Sequence, residues 1–159
     1  MRRLLKFMHT MGAIGLMGAM ACLLALLALT PAPASLSEYA LMRAAMGAIA
    51  TWIFLPSLGL TLVAGLLAIG FNRAYHSAGW AWAKLASGVI VFEWGFTAIM
   101  GPMQQEAELS AQALAHEVEP ANLAASLGPE WKSLWLMLVI ATVNVILGIW
   151  RPRLTRLPD

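Results

Sequence analysis

The chain has 159 residues, of which 60% are hydrophobic and 11% charged, and a formal net charge of +2. Water-soluble domains carry about 45–50% apolar and about 25% charged residues, so the composition excludes a soluble globular domain. The basic residues flank apolar runs instead of lining one face, which excludes a nucleic-acid partner, and the single cysteine, Cys22, excludes an intrachain disulfide and a Cys-based zinc site.

Each membrane crossing needs roughly 20 apolar residues. The chain therefore holds one transmembrane domain with spans at about 7–29, 45–71, 80–100 and 131–150. The expected fold class is all-α: a four-helix transmembrane bundle running up-down-up-down with both termini cytoplasmic.

Arg2, Arg3 and Lys6 precede the first apolar run, and Thr30-Pro31-Ala32-Pro33 ends it, because proline cannot continue a helix comfortably. Ala32-Pro33-Ala34 imitates a signal-peptide cleavage site. The apolar stretch, however, exceeds the roughly 7–15 residues of a signal core, so an uncleaved span is expected. Ser35-Leu36-Ser37-Glu38 has capping-box spacing and predicts a helix start. The helix that follows is longer than a bilayer needs, so it either tilts or stands partly outside the lipid; Pro56 is expected to kink it.

After a polar turn at residues 72–79, the third run opens at Trp80 and is expected to close at Gly101-Pro102. Residues 102–130 form the longest connection, an acidic periplasmic loop. It carries Glu106, Glu108, Glu117, Glu119 and Glu130, and Leu109, Leu114 and Val118 predict a short amphipathic surface helix within it. The fourth run ends at Arg151-Pro152-Arg153. No convincing internal repeat is visible.

Arg2, Arg3, Lys6, Arg73, Arg151, Arg153 and Arg156 fall on one side, against Arg43 and Lys132 on the other. Positive charge near a span resists translocation, so the first side is cytoplasmic. The expected location is the bacterial inner membrane as a multi-pass protein, with the lipid bilayer as its first partner. Trp52, Trp80, Trp82, Trp131, Trp135 and Trp150 mostly lie near span boundaries, where amphipathic rings anchor.

Ionisable groups inside spans are costly and usually face a bundle interior. His9 and Lys84 each lie about one turn from the cytoplasmic boundary, at matched depth. Two readings stand. In one, Lys84 snorkels to the headgroups and His9 is an interfacial hydrogen-bonding residue. In the other, they form a polar pocket to which Thr10, Ser87 and Asn144 add hydrogen bonds, and the imidazole ligates heme iron or relays protons. Glu93 lies deeper and on nearly the opposite helix face from Lys84. It is expected either to make a structural hydrogen bond, with Arg43 as one donor, or to serve a proton relay.

Gly12, Gly15 and Ala19, and likewise Ala44, Gly47 and Ala48, put small residues on one helix side, as close helix packing requires. His76 and His116 have no metal-ligand spacing, and the methionines read as packing. No triad, nucleotide loop or carboxylate pair set for hydrolysis is present, so no catalytic residue is assigned.

Lys6-Phe7-Met8-His9, the Pro56 to Gly65 region, Trp80-Ala81-Trp82-Ala83-Lys84 and Trp150-Arg151-Pro152 together resemble an uncharacterised family of bacterial four-helix predicted integral membrane proteins. More distantly, the chain is similar to HemJ-type protoporphyrinogen oxidases and to the membrane part of CopD-like copper-resistance proteins. In the HemJ-type family a first-span histidine and a third-span lysine, preceded by tryptophan four residues earlier, are important residues, and heme b is bound. His9, Trp80 and Lys84 match that pattern. The chain lacks the family's aromatic and arginine-rich continuation after the first span; residues 11–20 are mainly small residues and methionine. The resemblance thus implies heme b with His9 on the iron, Lys84 assisting, and Trp80 and Asn144 in support, in a redox-associated role. The alternative is a non-catalytic membrane subunit or scaffold, contacting partner proteins or further copies through its small-residue faces and acidic loop.

Overall fold

The computed structural model describes residues 2–71, 79–123 and 127–150, and among them every regular element is helical. Arg73, His76, Arg151, Arg153 and Arg156 lie outside the described residues, as does the side chain of Trp80. Four helices are long and apolar enough to cross a membrane: Arg3–Leu29, Leu36–Gly70, Ala81–Leu114 and Gly128–Trp150. They suit a multi-pass membrane protein in contact with lipid.

Helix α1 (Arg2–Leu29) is rich in Leu, Ala and Met, the strongest helix formers. It stops at the proline pair, where the Thr30 hydroxyl donates to the Leu26 carbonyl at 2.8 Å and satisfies one end group. Helix α2 (Leu36–Ile49) begins where the sequence placed it, but the expected capping box does not form: Ser35 is the N-cap without a side-chain cap bond. The Ser35 amide turns back to the Ala32 carbonyl instead.

From α2 the chain passes through a π turn, Ala50–Phe54, into α3 (Leu55–Gly70). From α4 (Gly79–Gly95) it passes through a second π turn, Phe96–Met100, into α5 (Gly101–Leu114). Gly101-Pro102 is therefore not the end of the third helix but its passage into an extension. Both π turns have the same cause. Proline lacks an N–H and its ring collides with the carbonyl four residues back. A turn widened by one residue moves that carbonyl aside, and the amides just before Pro56 and Pro102 bond five residues back, Leu55 to Ala50 and Gly101 to Phe96. At Pro56, where the sequence predicts a kink, the helix carries this bulge.

Residue pairings give the packing. His9, Gly12 and Gly15 of α1 meet Thr61 and Ser57 of α3 in descending order, so these helices run in opposite directions. A Cβ on Gly12 would lie 2.9 Å from the Ser57 carbonyl oxygen, so this seam needs the close approach that glycine permits. Tyr39 and Gly47 of α2 and Thr51 of the first π turn likewise meet Ala113, Ala107 and Gln104 of α5. Ser87 and Gly95 of α4 meet Asn144 and Met137 of α6 (Gly128–Trp150).

The main core joins Leu16, Met20, Leu23 and Leu27 to Met46, Phe54 and Leu58, and to Ile99, Met103, Leu134 and Met137. It occupies the half of the bundle nearest the π turns. Toward the other end α6 buries nothing beyond Met137, and α3 only Ala64.

At ~1.5 Å per residue a 35-residue helix reaches roughly 50 Å, well beyond ~30 Å of hydrocarbon. The excess is the α2–α5 pair, which continues past the end of α1 as a two-helix head. A short 3₁₀ turn (Pro120–Asn122) and Leu123 close over it, with Leu123 packed on Tyr39 and Ala113. Helix α5 ends in a Schellman motif: the Glu117 amide bonds Gln112 and the His116 amide bonds Ala113. His116 takes the left-handed position, φ 61°, where glycine is usual.

Candidate functional site

Two groups of polar side chains are built into the helices, one at each end of the described bundle. The first contains His9. Its Nδ1 lies 2.8 Å from the Thr61 carbonyl oxygen across the α1–α3 seam. A carbonyl only accepts, so Nδ1 carries the proton and, in the neutral ring, Nε2 is left with a lone pair. This second-site hydrogen bond is the kind that orients a ligating imidazole.

Lys84, on α4, is the second ionisable group at this end. Its ammonium lies against Gly148 of α6, where an added Cβ would come within 2.9 Å of Nζ. Asn144 does not join His9. It accepts from the Ser87 hydroxyl at 2.9 Å and donates to the Ile140 carbonyl, tying α4 to α6. Thr10 is exposed.

As a heme site this donor set offers one oriented imidazole for an axial position and one ammonium for a propionate. Among the described residues no group of three or more His, Cys, Asp or Glu is placed to hold a bare metal ion. The cavity between α4 and α6, about 20 Å³ and lined by Ile90, Val91, Trp94, Leu136, Met137 and Ile140, includes neither His9 nor Lys84.

The second group sits where the head meets the bundle, and it is the more complete. Arg43, on α2, is fully buried. Its Nη1 donates to both carboxylate oxygens of Glu130 at the start of α6, at 2.7 and 3.0 Å. Its Nε donates to the Tyr39 hydroxyl at 3.0 Å, and that hydroxyl donates to Glu106 of α5 at 2.6 Å. The guanidinium also lies 5.2 Å from the Tyr39 ring centre, within cation–π range. Nη2 alone is buried without a partner among the described residues.

One cation thus links three helices through two carboxylates and a phenol. In this partly desolvated setting, loss of any member strands another. Arg43 does not reach Glu93, which is exposed on the outer face of α4.

The sequence reading missed this group because Glu106 and Glu130 look like two more acids of a solvated loop. One usable signal was present: Tyr39 and Arg43 are four apart and so share a helix face.

Comparison of the chain with family models, with curated proteins and with solved structures gives no match in any of the three.

Proposed function

We propose that the chain is a non-catalytic subunit or scaffold of a membrane assembly, presenting a rigid two-helix head to partner proteins. In this reading it lies in the bacterial inner membrane, up-down-up-down, with cytoplasmic termini and a periplasmic head. The carrying observation is the buried Arg43 group, which fixes α2, α5 and α6 to one another where the head meets the bundle. A head immobilised by internal charge pairing serves to hold a surface in one geometry. That surface is acidic: Glu38, Glu108, Glu117 and Glu119 are exposed, whereas Glu106 and Glu130 are turned inward. The test is co-purification from native membranes of the wild type and of a Glu108→Lys/Glu117→Lys variant. Both residues are exposed, so the variant should insert and melt like the wild type while losing its partner. A wild type that elutes alone, as a monomer, overturns the reading.

A second reading, heme b binding with a redox role, rests on His9, whose Nδ1 is pinned by Thr61 and whose Nε2 is left for a ligand, with the Lys84 ammonium against Gly148 as the second polar group at this end. The resemblance to HemJ-type oxidases points the same way. A Soret band in the purified protein that shifts or disappears in His9→Ala supports it; a colourless wild type overturns it.

A further inference from the structure

Glu93 is the anomaly of the membrane-facing surface. The contacts of Ser87 with Asn144 and of Gly95 with Met137 bracket its level on α6. Glu93 therefore lies opposite residues 138–140, halfway along a helix that runs Gly128–Trp150. At that depth the surroundings are apolar: Ile90 on α4 and Phe96, the first residue of the second π turn, are exposed large hydrophobics. The Glu93 side chain is exposed. Its backbone carbonyl accepts from Thr97 at 2.8 Å, but among the described residues its carboxylate has no hydrogen bond and no ion pair.

Ionisable groups in spans almost always face a bundle interior or a water-filled cavity and pair with one another. Among the described residues Glu93 does neither, and this is the reason to look for its partner on another molecule.

We propose that the outer face of α4 docks a transmembrane helix of another protein that carries an arginine or lysine at mid-membrane, paired with Glu93. Charge complementarity selects this occupant over a second copy. Among the described residues a second copy has no cation to offer at that level: Arg43 is fully buried against Glu130, His9 is held by Thr61, and Lys84 lies nine residues away along α4 against Gly148. Two copies joined through α4 would bring carboxyl against carboxyl. The inference deepens the subunit reading and rests on it, adding a partner chemistry within the lipid to the acidic surface of the head.

The test uses the full-length protein in phosphatidylcholine–phosphatidylglycerol vesicles and a labelled Leu/Ala-rich spanning peptide. The peptide has either arginine, which stays protonated, or leucine at its centre, and energy transfer from the protein's tryptophans reports association. The arginine peptide should bind roughly tenfold tighter than the leucine peptide, in the range of interhelical polar contacts in bilayers. That difference should disappear in Glu93→Gln. Because Glu93 is exposed, this variant keeps the fold, which its unchanged melting curve verifies. Equal binding of the two peptides overturns the proposal, as does self-association of labelled copies that depends on Glu93. If the arginine peptide fails while the complex sensitive to Glu108 and Glu117 persists, the docking face falls and the head surface stands. Selective peptide binding without that complex gives the reverse.

Discussion

Nη1 of Arg43 lies between the two carboxylate oxygens of Glu130, 2.7 Å from one and 3.0 Å from the other, and the guanidinium has no solvent exposure. Removing one partner of such a pair leaves an uncompensated buried charge, whereas replacing both with apolar groups is often neutral. Arg43→Ala should therefore lower stability by about 3–5 kcal/mol, read as the midpoint of thermal or SDS unfolding in detergent. Arg43→Met combined with Glu130→Leu should recover most of that loss. A double variant as unstable as the single one would show that the pair itself, rather than the stranded charge, carries the effect.

The α1–α3 seam gives a paired prediction. Gly12→Ala drives a Cβ to within 2.9 Å of Ser57 and Thr61 backbone atoms, which cannot swing aside, whereas nothing lies within 4 Å of a Cβ on Gly18. Overpacking costs about 1–3 kcal/mol; Gly→Ala in an open helix position gains about 0.5–1 kcal/mol. The two substitutions, one helix and six residues apart, should move the unfolding midpoint in opposite directions.

His116 occupies a left-handed backbone position at φ 61°. Such a conformation costs an L-residue roughly 1–2 kcal/mol and glycine almost nothing. His116→Gly should stabilise the head by about 1 kcal/mol, seen as slower amide exchange in α5. An unchanged rate would mean the terminus of α5 opens independently of that residue's conformation.

Sidedness is checked by labelling. In a Cys22→Ala background, cysteine at Glu117 should react with an impermeant maleimide in intact spheroplasts, and cysteine at Lys6 only after lysis. Both positions are exposed, as is Cys22, so access reports the side of the membrane and not burial. The reversed pattern would invert the orientation derived from the arginines.

The four apolar helices are legible in the sequence because each is a run of about 20 residues bounded by charge or proline. The path of the third helix is not. Gly101-Pro102 reads as a helix end, yet the π turn that accommodates Pro102 carries the chain through. The depth of His9 and Lys84 can be counted from their boundary. The Thr61 carbonyl that holds His9 cannot, since any helix carbonyl at that level would read the same. Ser87 and Asn144 are each recognisable as polar residues at one depth, but their mutual bond depends on how α4 and α6 rotate about their axes. Arg43 was legible only as a residue needing a partner. Its partner Glu130 is 87 residues away, and helix packing determines which of the acids turns inward.

Each π turn also divides its helix into two reading frames. One extra residue in a turn rotates everything beyond it by roughly 100° relative to an unbroken α-helix. The side of α2 that carries Tyr39 and Arg43 is therefore out of phase with the side of α3 that receives α1. Deleting any single residue from Ala50–Phe54 would merge the frames. Arg43 would swing about a quarter turn away from Glu130, and the Pro56 ring would return to the carbonyl four residues before it. The number of residues between the head and the span, more than their identity, thus decides which side of α2 becomes the interior of the head.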